Sequence, residues 1–322
     1  MMQKVVLGRT GLEVSVAALG AGGKSRLGRA QGRSTDHSVR LVREAIDAGV
    51  TLIDTAAGYG TEAIVGEAVR GRRDSVVLST KVSISRGGHD DIANMLNADE
   101  FTRRVEGSLG ALGVDCIDIL HLHALSHAQY DHARAEIVPA LDRLRTAGKI
   151  RFTGLTERFV VDTAHRMLTR AVEDDVWDVF MLGFNYVNPS ALAHVLPATR
   201  ARGIGTLCMF AVRGPLRDLA SANALVAPLV DKGEIDPESF DPRNPLGFLA
   251  APGVAERFTD VAYRFCRHAP GIDVVVTGTG DPEHLRQNLA ALNGPPLPAE
   301  VTARLARIFG RVTSESCEPR PQ

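Results

Sequence analysis

The chain has 322 residues, 44% hydrophobic and 23% charged, with a formal net charge of −1. This is ordinary globular composition, and a chain of this length buries enough surface to need no disulfide or metal staple. The near-zero charge excludes the electrostatic footprint of a DNA-, RNA- or membrane-surface-binding protein. No apolar run of about 18 residues is present to span a bilayer, and the opening MMQKVVLGRTGLEV lacks an apolar core of signal-peptide length. Cys116, Cys208, Cys266 and Cys317 form no C-x-x-C pair, so a reducing, cytoplasmic setting is expected.

Val5–Leu7, a glycine-bounded turn at Gly8–Gly11, and Leu12–Val14 read as a short β-hairpin. Eight strand candidates follow: Val16–Leu19, Val50–Ile53, Val76–Lys81, Ile117–Leu122, Ile150–Gly154, Val179–Gly183, Gly205–Met209 and Val274–Thr277. Amphipathic helices alternate with them. Val39, Val42 and Ile46 share a face of Ser38–Ala48. Phe101, Val105, Leu109 and Leu112 do so in Asp99–Leu112, where Asp99 is the expected N-cap. In Pro282–Leu292, Leu285, Leu289 and Leu292 share a face, behind Asp281 as N-cap and Pro282 at the first helical position. Eight apolar strands alternating with helices predict a single-domain (β/α)8 barrel over residues 1–322. An open doubly wound sheet would call for G-x-G-x-x-G after the first strand. Gly20-Ala21-Gly22-Gly23-Lys24-Ser25 lacks its third glycine. One connection, Phe210 to about Gly253, is rich in Pro, Gly and Asp and reads as a long functional loop. The tail from Ser314 reads as polar and loose.

Reactive residues in such a barrel come from the C-terminal ends of strands. Lys81, one of only five lysines, closes an apolar strand, where an ammonium must be paired. Asp54 closes the neighbouring strand. Tyr59 lies five residues beyond Asp54, and His123 ends the next strand. A carbonyl that receives hydride needs a proton on oxygen, and a phenol whose pKa is lowered by a nearby cation can supply it. Tyr59 is the expected acid, with Lys81 and Asp54 tuning it and His123 orienting the carbonyl. Each residue alone has a structural explanation, a salt bridge or a core histidine; the four together favour chemistry.

Leu52–Gly60, Val77–Lys81, Ile117–His123 and Gly148–Leu155 resemble successive signatures of the aldo-keto reductase superfamily. The resemblance runs from LGRTGLEVS to the last helix. It implies Asp54, Tyr59, Lys81 and His123 as catalytic tetrad, and a cofactor, NADP(H) favoured and NAD(H) possible. The substrate would be a small carbonyl or alcohol, with no nucleic acid or membrane partner. It also implies a carboxamide site at Thr156 and Glu157, where the family has Ser-Asn, with Met181 in place of a Gln. A nicotinamide face is implied at Met209, Phe210, Ala211 and Val212, and a phosphate site at Gly278, Thr279, Gly280, His284, Gln287 and Asn288. The family's basic 2′-phosphate positions hold Gly278 and His284 here, with Arg286 nearby in sequence. Ser25–Arg33, Arg86–Asn97 and Phe210–Gly253 are the expected specificity loops.

Two other readings follow from the same residues. His121-x-His123 places two imidazoles on one side of a strand, as in a metal-dependent barrel hydrolase. A nucleotide-binding barrel without catalysis is the other. The sequence names neither the substrate nor the number of subunits.

Overall fold

The eight expected runs form eight parallel strands in a computed structural model of the chain, which describes residues 1–89 and 91–318. β1 (Lys4–Val6) and β2 (Glu13–Ser15) are the antiparallel hairpin, with Lys4 opposite Ser15. The barrel strands are β3 (Ala17–Gly20), β4 (Leu52–Asp54), β5 (Val77–Val82), β6 (Ile117–Leu125), β7 (Ile150–Glu157), β8 (Val179–Gly183), β9 (Gly205–Met209) and β10 (Val274–Thr277). β10 pairs with both β3 and β9, which closes the sheet and leaves no free edge. The architecture is a (β/α)8 barrel.

The hairpin stoppers the barrel's N-terminal end. Its Leu7, Leu12 and Val14 join Leu52, Val77, Ile119, Val179, Leu207 and Val274 in one buried cluster. Gly8 allows this contact: at φ +48°, a Cβ there would stand 2.2 Å from the Gly205 backbone nitrogen. A larger apolar cluster lies between the strands and the surrounding helices. The polar end of the barrel is the C-terminal mouth, where Asp54, Lys81 and His123 stand at or near the strand ends.

Helix starts depart from expectation. The helix expected from Ser38 begins at Thr35, because the Ser34 side chain accepts from His37 N. The helix expected to be capped by Asp99 runs Ala98–Leu112 and is capped by Asn97. Asn97 Oδ1 accepts from Glu100 N at 3.0 Å, and Glu100 Oε2 accepts from Asn97 N at 3.0 Å. This reciprocal box satisfies two orphan amides and leaves Asp99 inside the first turn. Asp281 is the cap of Pro282–Leu292, accepting from Glu283 N and His284 N.

The Phe210–Gly253 connection is not an open loop. It carries helices at Leu219–Ala224 and Val226–Asp231 and 3-10 turns at Gly214–Arg217, Pro237–Ser239 and Gly247–Ala250. Its own Leu216, Val226, Leu229, Ile235, Leu246 and Leu249 are buried. The tail is also packed as far as Glu318: Ser316 and Cys317 are buried. No helix among the described residues is long and apolar enough to cross a membrane.

Replacing Asn97 by Ala removes one half of the capping box. The expected loss is about 1 kcal/mol of stability, read as an earlier urea midpoint. An unmoved midpoint would show that the cap is dispensable.

Candidate active site

Register brings the expected residues together. Asp54 stands opposite Ser79 on β5, and Lys81 stands opposite His121 on β6. The Lys81 ammonium is buried, 1% exposed, and donates to Asp54 Oδ2 at 2.5 Å and Thr55 O at 2.8 Å. Ser79 Oγ donates to the other carboxylate oxygen at 2.8 Å. Burial works against the lysine's charge, but Asp54 and then Tyr59 outweigh it and hold its pKa above the ordinary value.

Tyr59 is placed by a 3-10 turn, Ala57–Tyr59, directly after β4. Its ring lies on the backbone of Gly22, where a Cβ would sit 2.3 Å from Cε2. Gly22 is thus a turn residue that makes room for the phenol. Lys81 Nζ is 5.2 Å from the Tyr59 ring centre, and Tyr59 Oη is 3.4 Å from His123 Nε2. Burial, then Lys81, His89 and His121, hold the His123 pKa well below the ordinary histidine value. His121, fully buried, is pushed down to about 3 by burial and then Lys81. Both imidazoles are neutral at physiological pH. Among the described residues no group of three or more His, Cys, Asp or Glu side chains gathers to hold a metal.

A cavity of about 660 Å³ opens beside this cluster. Asp54 and Tyr59 line one end. Met181, Met209, Phe210, Ala211, Val212, Gly278, Thr279, Gly280, His284, Gln287 and Asn288 line it as the sequence suggested. Asn288 Nδ2 donates to Thr277 Oγ1 at 3.0 Å, which fixes the turn before the helix. Arg286 lies outside the lining and pairs with Glu283. Sequence reasoning missed Lys24, Arg33, Arg213, Arg217 and Arg257, which make the cleft cationic. Arg257 binds Asp260 and Gln287, and Arg213 stacks on Phe210 with its guanidinium carbon 4.7 Å from the ring centre. They occupy loops and a helix start, where no periodicity marks them. Two nearby arginines in an otherwise apolar Phe210–Arg217 stretch were the available signal.

Thr156 and Glu157 do not line the cavity. Thr156 Oγ1 accepts from Ala124 N at 2.6 Å. Glu157 is buried against His165, its Oε2 2.9 Å from Nδ1, and its Oε1 accepts from Gly183 N at 2.7 Å. His165 holds a left-handed φ of 59°, and its ring stacks on Phe159. The carboxamide contact implied at these two residues is thus taken up inside the protein. At the phosphate end the residues do fit a dinucleotide: five cationic side chains border a glycine turn at a helix N-terminus, and such a turn presents amides to an anion.

The closed parallel barrel carries its polar cluster and cationic cleft at the C-terminal mouth, where barrel enzymes place their active sites. Residues 18–309 match the Aldo/keto reductase family model. The chain belongs to that family and is an NAD(P)-dependent oxidoreductase. It is 29% identical to L-galactose dehydrogenase of Arabidopsis thaliana, over 89% of this chain and 86% of that one. It is 27% identical to the NADH-specific methylglyoxal reductase of Escherichia coli, over 91% and 94%. An aldo/keto reductase from Klebsiella pneumoniae, solved with NADP and acetate, superposes with a TM-score of 0.66 at 25% identity, over 96% of each chain. The holo form of an aldo-keto reductase from Bacillus halodurans gives a TM-score of 0.71 at 20% identity, over 98% and 99%, a likeness of fold.

The Glu157–His165 pair predicts a pH dependence. Burial lowers the His165 pKa, but Glu157 outweighs it, so the histidine's pKa is raised. The folded chain then keeps a proton that an unfolded histidine loses near about pH 6.5, and stability falls as pH rises above that point. Glu157→Gln keeps an acceptor for Gly183 N and removes the attraction. The alkaline loss should then shrink relative to the parent in urea titrations from pH 6 to 9. Identical pH profiles would sink this account.

Proposed function

We propose that this enzyme transfers hydride between NADP(H), or secondarily NAD(H), and a small carbonyl or alcohol, with Tyr59 as the acid in reduction and the base in oxidation. The observation that carries this reading is the buried Lys81–Asp54 pair beneath a phenol that faces His123. The nicotinamide supplies or accepts the hydride. A carbonyl oxygen between Tyr59 Oη and His123 Nε2 would take the proton from Tyr59, and the Lys81 cation favours the phenolate left behind. His123, being neutral, can donate from Nε2 to the same oxygen without competing for the proton. Asp54 and Thr55 O keep the ammonium in place through the cycle. The arginines and His284 around the Gly278–Gly280 turn would hold the phosphates, and Met181, Met209 and Phe210 would offer an apolar face to the nicotinamide ring. The cationic lining and the NADP complex of the Klebsiella relative support NADP(H); the NADH-specific relative keeps NAD(H) second.

Tyr59→Phe tests the assignment. It should retain the fold and nucleotide binding, the latter followed by fluorescence titration, and lower kcat by roughly 10²- to 10⁴-fold. A near-parental kcat would remove Tyr59 from the role. Because His123 is held neutral, the pH profile of kcat/KM should show no limb in the ordinary histidine range. A limb there that disappears in His123→Gln would mean that His123 carries the proton itself.

A further inference from the structure

The tail packs beside the cleft and brings Glu318 into its lining. Glu234 anchors it, accepting from Thr313 N at 3.0 Å and Ser314 N at 3.1 Å. Asn188 Nδ2, after β8, donates to Glu315 O at 3.0 Å. The Cys317 carbonyl then lies on Gly214, after β9, where a Cβ would come within 2.6 Å. The tail reaches Glu318, whose side chain is only 12% exposed. Its Oε2 is 3.0 Å from Lys24 Nζ, and its Oε1 is 3.9 Å from Arg213 Nη1.

The strand order gives this bridge its meaning. β10 lies between β9 and β3. Arg213 follows β9, Lys24 follows β3, and the glycine turn at Gly278–Gly280 follows β10. A link from Arg213 through Glu318 to Lys24 therefore joins the loops on either side of that turn. Lys24 and Arg213 are both cations and repel; an acid between them lets both stay above the turn. A cavity of about 660 Å³ persists with the tail in place, so the tail does not fill the cleft.

We propose that Glu318 is a positioning residue for dinucleotide binding: its carboxylate holds Lys24 and Arg213 from opposite rims over the cofactor diphosphate and slows the cofactor's escape. This rests on reading the cleft as the dinucleotide site. Simple electrostatics predicts the opposite effect of removing the acid, since one negative charge less should tighten binding of an anion.

The test is stopped-flow fluorescence of NADPH and NADH binding to the full chain and to Glu318→Gln. The expected result is a Kd raised roughly three- to tenfold, mostly through faster dissociation, as befits partly exposed ion pairs. The difference should narrow at high salt. Lys24→Gln should also speed dissociation, and the double variant should lose less than the two single losses combined, because both act through one bridge. An unchanged or lowered Kd in Glu318→Gln, or strictly additive losses, overturns the proposal and leaves the cleft's reading intact. If the parent binds neither nucleotide, the reading of the cleft fails and the role of Glu318 fails with it.

Discussion

The buried ion pair between Lys81 and Asp54 is the constraint on which the mouth of this barrel depends. An ammonium inside a barrel costs several kcal/mol to desolvate unless its hydrogen-bonding capacity is met. The closed sheet meets it from two strands and a loop carbonyl: Asp54 from β4, held by Ser79 of β5, and Thr55 O just beyond β4. A shift of one residue between β4 and β5 would turn either Lys81 or Asp54 to the helix side and strand the other, so the pair fixes the register of the two strands as firmly as the hydrophobic pattern does. Tyr59 follows within one turn of Asp54, so the placement of the phenol is inherited from the pair.

The same cation organises its neighbours. Burial and Lys81 together keep His121 and His123 neutral, so the mouth end of β6 carries no charge. Polarity is thus divided across the mouth. Beside the substrate end lie one compensated pair and two neutral rings, while the cations Lys24, Arg33, Arg213, Arg217 and Arg257 line the outer part of the cleft, three of them paired with Glu318 or Asp260. In the proposed reading, proton movement belongs to the first zone and anion binding to the second.

The barrel was legible in the sequence because parallel strands covered on both faces are short runs rich in apolar residues, and each of the eight expected runs falls on a barrel strand. Lys81 and Asp54 were legible because charge at the end of such a run is expensive and needs a reason. Helix starts were less so: Asn97 and Asp99 are both good caps, and only the reciprocal bond with Glu100 separates them. Glu157 was misread because its partner, His165, is brought to it by a left-handed backbone turn that no spacing rule announces. The tail looked loose because its residues bond to side chains far away in sequence, Glu234, Asn188 and Lys24, and among the described residues from Ser314 on only Cys317 joins the apolar core. The Phe210–Gly253 segment hid its helices in the same way, since turns of six residues or fewer are too short to display a period.

The sequestering of Glu157 bears on where binding energy can come from. The family resemblance places the carboxamide contact at Thr156 and Glu157, yet one hydroxyl serves Ala124 N and the carboxylate serves His165 and Gly183 N. Freeing Glu157 would leave His165 and a buried amide without their acceptor, a loss of a few kcal/mol that one carboxamide hydrogen bond does not offset. The neighbouring lining, Met181, Met209 and Phe210, offers contact area and no directed donors. A nucleotide in this cleft would then be held weakly in orientation at the ring and strongly at the phosphates. That imbalance raises the importance of whatever closes the phosphate end, and among the described residues the loops on both of its rims are bridged by one acid from the chain's last packed segment.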